Sequence, residues 1–321
     1  MNYIGIDIGG TNLKAGLMND EGVVLASTKV KSTQIQEQEL LARKMMEMTR
    51  ELAEKAGIPL TQIASVGVGV PGAVEISSGS ILYTCNLPLR QVPLRELWHK
   101  QMDMPLYVEN DANCAALGEY YAGAGRGSKR FVTITLGTGI GAGIIHNGKI
   151  YHGVNGMAGE VGHMSIVYQG EPCPCGRRGC WERYASATAL KRLTTSAMQA
   201  HPDSILSRVV QGNGGKVSGQ SAFMAARQGD AVGQQVCDTY IDYLAMGIVN
   251  IINIFQPDVL AVGGGVSNEA DEQLLFPLQR IVAKESFAGS HKKMTRLVKA
   301  ELGTQAGIIG AAFLGKNCRY I

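Results

Sequence analysis

The 321-residue chain is 45% hydrophobic and 18% charged, with 41 glycines and a net charge of +3. It exceeds the about 250–300 residues at which one core stops growing, so two domains are expected. Its Lys and Arg residues are scattered rather than gathered into a stripe, which argues against nucleic-acid binding. The opening "NYIGIDIGG" lacks the charged start, apolar run and small-residue cleavage site of a secretory signal, and the most apolar run, "LAMGIVNIINIF" at 244–255, is too short to span a membrane. A cytoplasmic protein without membrane contact is therefore expected, with 244–255 as a buried helix. Of seven cysteines, Cys85, Cys114, Cys237 and Cys318 are isolated, and the odd total suits reduced, buried thiols better than a disulfide framework.

In chain order, "YIGIDIGGTNLKAGLM" at 3–18 reads as a strand, a Gly-Gly-Thr-Asn turn and a returning strand, with a third strand at 23–28 after the "NDEG" turn. A helical pattern follows at 38–56, a strand at 63–70, a helix from 94 to about 101, and a strand at 106–109. The opening pattern then recurs, in register, 128 residues on as "FVTITLGTGIGAGI" at 131–144. A further apolar strand leads into "GGGV", a basic stretch at 290–299 reads as solvated surface followed by an edge strand, and 304–316 is a helix able to cross back to the first domain. The alternation predicts α/β construction. The predicted division is 1–117 completed by 304–321, against 118–303 carrying a metal knuckle at 163–180.

Gly/Thr hairpins present main-chain N–H groups with no Cβ in the way, so a phosphate chain can approach the backbone. One such hairpin alone is more often a plain turn; two in register, one per domain, favour a ligand. Neither a Gly-x4-Gly-Lys-Ser/Thr loop nor a dinucleotide fingerprint is present. Asp7, where the first strand meets its turn, could hold hydrated Mg²⁺ or merely cap that turn. In "VENDANCAAL" at 108–117, Asn110 or Asp111 could be a helix N-cap. A carboxylate beyond the carboxyl end of an α/β strand, kept ionised by the helix dipole, could equally accept a proton from a hydroxyl attacking a γ-phosphate. Glu160 and His163 in "AGEVGHMS" suit a short turn displaying both side chains. His163, Cys173, Cys175 and Cys180 form H-x9-C-x-C-x4-C, a closed Cys3His set for structural zinc, and they fit poorly to the C-x-x-C of redox sites. Glu182 stands two residues beyond the last thiol.

Taken together, "DIGGTNLKAG", "LGTGIGAGI", "GEVGH", "VGGGV", "PCPCGRRGCWE" and "ENDAN" resemble the ROK family of bacterial sugar kinases and repressors, within the sugar kinase, Hsp70 and actin superfamily. The resemblance covers the whole chain. It implies two actin-like, ribonuclease H-like α/β domains with an active-site cleft between them. It further implies ATP-dependent transfer of the γ-phosphoryl to the 6-hydroxyl of a hexose, most similar to glucokinases, with Mg²⁺ as cofactor. Asp7, Gly9, Gly10, Thr11, Asn12, Lys14, Gly137, Thr138 and Gly139 would bind the nucleotide phosphates, and Gly263, Gly264 and Gly265 its adenosine. Asp111 would be the general base; Asn110, Glu160, His163 and Glu182 would bind sugar hydroxyls, with Gly72 and Asn86 lining the same pocket. Zn²⁺ on His163, Cys173, Cys175 and Cys180 would be structural, and a homodimer is implied. Family repressors carry an N-terminal winged helix, whereas here the first strand starts at residue 3, which favours a kinase. Alternative expectations are another hexose substrate (N-acetylglucosamine, N-acetylmannosamine, allose or fructose), a sugar-responsive regulator without kinase activity, or an ATP-operated chaperone or filament protein of the same superfamily.

Overall fold

The computed structural model describes residues 1–32, 37–84, 87–287 and 294–317. The chain forms two compact units: Met1–Thr133 with Gly143–Gly159 and Glu301–Ile321, and Ile134–Ala142 with Glu160–Ala300. The first begins with the predicted meander: β1 (Asn2–Ile8), β2 (Asn12–Asn19) and β3 (Val24–Lys31), antiparallel in turn, with Asp7 opposite Lys14. Helix α1 (Gln38–Ala56) buries a stripe of Leu41, Met45, Met48 and Leu52 at helical spacing. Gly57, at φ 64°, ends it by donating its N–H to the last-turn carbonyls of Ala53 and Glu54. Strand β4 (Ile63–Val70) runs parallel to β1. Three short strands, β5 (Gly72–Glu75), β6 (Ser80–Thr84) and β7 (Arg90–Val92), form a small separate sheet that the sequence reading does not contain. Helix α2 (Leu94–His99), β8 (Leu106–Asn110) and α3 (Asp111–Ala122) follow, giving a five-stranded sheet of order β3-β2-β1-β4-β8.

The repeat of the opening hairpin is β9 (Arg130–Leu136) and β10 (Ile140–His146), extended by β11 (Lys149–Ile150). The unit boundary falls inside β9 and β10. The second unit continues through α4 (Glu182–Ala185), α5 (Ala187–Ala200), α6 (Ile205–Gly212), α7 (Ser221–Arg227) and α8 (Ala231–Phe255). Then come β12 (Val259–Gly264), α9 (Leu275–Glu285) and β13 (Arg296–Lys299), and the second sheet has the order β11-β10-β9-β12-β13. The predicted apolar helix at 244–255 is the last part of α8, which buries Leu244, Ile248 and Ile251 but leaves Ile254 exposed. Of the basic stretch at 290–299, residues 290–293 lie outside the described residues and the last four form β13, at the edge of the second sheet. Among the described residues no helix is long and apolar enough to cross a membrane.

Helix α10 (Ala306–Asn317) groups with the first unit. A division at 117/118 would cut α3, which runs unbroken to Ala122. Residues 143–159 also group with the first unit rather than with 118–303. The close approach of Gly143 to α3 supplies a reason, since a Cβ on it would lie 2.4 Å from the Ala116 Cβ.

Helix α10 is seated backbone against backbone. Cβ atoms built on Gly5 of β1 and Gly67 of β4 would lie 1.8 Å from the carbonyl oxygens of Ile308 and Ala311. One on Gly118 of α3 would lie 2.2 Å from the Ala306 oxygen, and one on Gly310 would lie 1.6 Å from that of Cys114. No side chain can give way at these places, because the obstructing atoms are main chain. Gly310→Ala is therefore expected to destabilise the protein by about 1–3 kcal/mol or more through overpacking, despite the better helix propensity of Ala. Thermal denaturation should show a Tm lowered by several degrees; an unchanged or raised Tm would contradict this packing.

Candidate active site

The predicted site residues fall into one group on each unit. On the first, Asp7 ends the buried β1, and burial raises its carboxyl above its ordinary value, opposed by the Lys14 ammonium across the hairpin. The turn is closed by the Gly9 N–H donating to the Asn12 carbonyl at 3.0 Å, while the Ser32 N–H donates to the Thr11 carbonyl at 2.9 Å and the Ser32 hydroxyl to that of Gly9. Gly10 and Thr11 at its tip are exposed and Asn12 is half-buried. The hairpin is thus rigidly held from behind with its tip open.

Strand β8 delivers the second part of this group. Asn110 is the N-cap of α3: its Oδ1 accepts the N–H groups of Ala112 at 2.8 Å and Asn113 at 3.2 Å, and its Nδ2 donates to the Gly72 carbonyl at 3.1 Å. Sequence alone left the cap to Asn110 or Asp111, and the structure divides the labour. Asp111 is the first helical residue, with its Oδ1 accepting the Ala112 N–H at 2.9 Å, so the helix dipole favours its ionised form. Gly72 pairs with Thr84 at the edge of the small sheet, where a Cβ would lie 2.1 Å from the Tyr83 oxygen. Asn86 lies outside the described residues.

On the second unit, the turn of residues 137–139 is fixed by the start of α5. The Gly137 carbonyl accepts from the Ala187 N–H at 2.9 Å and the Thr138 carbonyl from the Thr188 hydroxyl at 2.8 Å. Glu160 is exposed and precedes a 3-10 turn, Val161–His163, matching the short display turn expected from sequence. His163, Cys173, Cys175 and Cys180 bring one ligand atom each within 4.8 Å of one another. Zn–S bonds of about 2.3 Å and Zn–N bonds of about 2.0–2.1 Å in a tetrahedron require S···S and S···N edges of about 3.6–3.8 Å. Cys175 Sγ and Cys180 Sγ are 3.6 Å apart, and Cys173 Sγ lies 3.7 Å from His163 Nδ1. The donor set therefore fits tetrahedral zinc, and it fixes Nδ1 as the imidazole atom facing the metal position. The knuckle itself is drawn together by the Cys173 N–H bonding the Arg177 carbonyl at 2.8 Å.

Glu182 lies against this cluster, with Oε1 3.2 Å from Cys173 Sγ and 3.8 Å from His163 Nδ1. A Cβ on Gly139 would lie 2.5 Å from Glu182 Oε2, so a side chain there would displace the Glu182 carboxylate from its present position. Gly263 and Gly264 end β12 and Gly265 opens the 3-10 turn that follows; Gly264 sits at φ 90° with its missing Cβ directed 2.4 Å from the Leu136 carbonyl. The same unit has a cavity of about 820 Å³, lined by Arg208, Ser218, Gln220, Ser221 and Met224 among others. Gly219, within that lining segment, approaches Val266, which follows the three glycines. No motif in the sequence marks the cavity. Also missed were Glu109 and His152, whose interaction joins residues 43 apart in the chain.

A sequence model of the ROK family matches residues 3–317. The chain belongs to the ROK family. This ROK chain is 35% identical to a glucokinase of Halalkalibacterium halodurans, over 98% of its own length and 95% of the relative's. It superposes with a TM-score of 0.81 on the crystal structure of a ROK family glucokinase from Streptomyces griseus in complex with glucose and AMPPNP, at 34% identity, covering 98% of this chain and 99% of that one. It is also 32% identical to a putative xylose repressor of a Caldicellulosiruptor species, over 96% of this chain but 76% of the repressor. The two-domain α/β, actin-like fold class expected from sequence is that of its ROK neighbours.

Two outcomes follow. Asp7 has a raised folded pKa, so the stability it leaves intact at low pH is lost as the pH rises through that pKa and the carboxyl ionises. Without divalent cations, Asp7→Asn should melt above the wild type at pH 7, and the two should converge near about pH 4; a variant less stable at pH 7 would contradict this. Metal analysis of the purified chain should find about one zinc per chain, reduced by Cys175→Ala. Wild-type protein free of metal would remove the site.

Proposed function

We propose that this ROK chain is an ATP-dependent hexose kinase that moves the γ-phosphoryl of ATP to the 6-hydroxyl of glucose. The observation that carries the reading is the setting of Asp111. It is the first residue of α3 beyond the carboxyl end of a parallel strand, its main chain held by the Asn110 cap, in a chain that is 35% identical to a glucokinase along nearly its whole length. In this reading Asp111 aligns the sugar hydroxyl and accepts its proton. Asn110, through the second hydrogen of Nδ2, and Glu160, His163 and Glu182 hold the other hydroxyls.

The two glycine turns, 9–12 and 137–139, offer main-chain N–H groups to the phosphates, with Lys14 nearby. Gly263, Gly264 and Gly265 and the cavity of the same unit take the nucleoside. Asp7, a half-buried carboxylate near a strand end, fits a role in holding hydrated Mg²⁺, which neutralises charge on the transferring phosphoryl group. Zinc on His163 and the three cysteines is structural. With Nδ1 committed to it, Nε2 is the nitrogen left to meet a sugar hydroxyl. Such an enzyme would work in the cytoplasm, where its thiols stay reduced.

The repressor relative supports a second reading, sugar binding without phosphorylation. An ADP-release assay with glucose, N-acetylglucosamine, N-acetylmannosamine, allose and fructose separates the two. The kinase reading expects hexose-dependent ADP, with the highest kcat/KM for glucose. Asp111→Ala should remain folded and bind glucose while kcat falls by about 10²–10⁴; near-normal turnover would sink the assignment.

A further inference from the structure

Glu109 is the last but one residue of β8, directly before the Asn110 cap, and is only 2% exposed. A carboxylate buried this deeply is costly unless its oxygens are hydrogen-bonded. Oε1 accepts from the Asn110 main-chain N–H at 2.8 Å and from Asn113 Nδ2 at 3.0 Å. Oε2 lies 2.6 Å from His152 Nε2, the length of a charge-assisted bond. Asn113 is itself buried. One carboxylate thus ties together the end of β8, the first turn of α3 and the segment following β11, all within the first unit.

Asp111 lies between the residues so tied. Asn110 and Asn113, which flank Asp111 and Ala112, are both held by Glu109 Oε1, so the Glu109 carboxylate helps fix the first turn of α3 from which Asp111 projects. The orientation of the Glu109 carboxylate depends in turn on its other oxygen, which His152 Nε2 meets at 2.6 Å. We propose that His152 is a positioning residue for the proton acceptor Asp111, acting through Glu109. The inference rests on the reading of Asp111 as the base. Removing the His152 donor leaves Oε2 as a buried charge with one bond fewer. The carboxylate then turns or admits water, loosening the Oε1 bonds that define the start of α3. A misplacement of about 1 Å at a reacting group can cost about 100-fold in rate without weakening substrate binding.

Two variants test this. His152→Leu removes the donor, whereas the amide Nε2 of His152→Gln can donate to Oε2 from nearly the same place. Expected for His152→Leu is a kcat lowered about 10- to 100-fold, with KM for glucose and for ATP within about twofold of the wild type. His152→Gln should recover most of the loss. Amide hydrogen exchange at residues 110–113 should quicken in His152→Leu and return in His152→Gln. Wild-type kcat in His152→Leu, equal losses in both variants, or a loss confined to KM would overturn the proposal. If the wild type phosphorylates no hexose, the kinase reading fails on that control alone. The exchange readout still decides the tether, since unchanged exchange at 110–113 in His152→Leu would refute it.

Discussion

The steric limit on how closely two main chains can pass governs the first unit. Helix α10 lies on β1, β4 and α3 at a separation that admits no Cβ at Gly5, Gly67, Gly118 or Gly310. Such contact leaves little unfilled space and keeps the dispersion attraction that a larger gap would forfeit. Its functional importance is geometric. Strand β1 carries Asp7 at its end and α3 carries Asp111 at its start, and both elements rest on one helix. Gly307 of that helix comes close to the Asp7 carboxyl, where an added Cβ would stand 3.5 Å from Cγ. The two carboxylates are thus held by a common backing.

In the second unit the comparable point is the short α4. Its first residue, Glu182, touches the Cys3His cluster through one oxygen and fills the space left open by Gly139 through the other. The preceding residue, Trp181, is fully buried against α8, with its indole N–H donating to the Tyr243 carbonyl at 2.8 Å. A cysteine knuckle, a glycine turn and the long helix α8 therefore meet at two consecutive side chains. The Cys3His set gathers residues from the two ends of the segment that leads into Glu182.

Much of this was legible in the sequence where the signal is local and periodic. The helix at 38–56 shows because its apolar stripe repeats at helical spacing, and the two hairpins show because apolar strands flank Gly/Thr turns in the same register. The Cys3His cluster shows because thiols spaced C-x-C-x4-C have few other uses. The small β5–β7 sheet did not show, since "GAVE", "SILYT" and "RQV" are too short to display alternation. Glu109 sat unremarked inside a quoted motif because burial of a carboxylate depends on partners such as His152, far along the chain. In the sequence Gly139 reads as part of a phosphate-binding turn. Its clearance of Glu182 becomes visible only when both are placed. The grouping of residues 143–159 with the first unit did not show either, since the approach of Gly143 in β10 to α3 joins residues far apart in the chain.

The grouping of residues 301–317 with the first 133 bears on how the protein is made. A ribosome adding about 5–20 residues per second needs about 10–30 s to pass from residue 133 to residue 301. Through that interval β1, β4 and α3 are already outside the ribosome, with the bed for α10 uncovered. That bed is apolar and lined with main chain, the kind of surface that chaperones hold and that neighbouring nascent chains can capture. The unit whose synthesis starts first consequently waits for its last helix until nearly all of the second unit has been made.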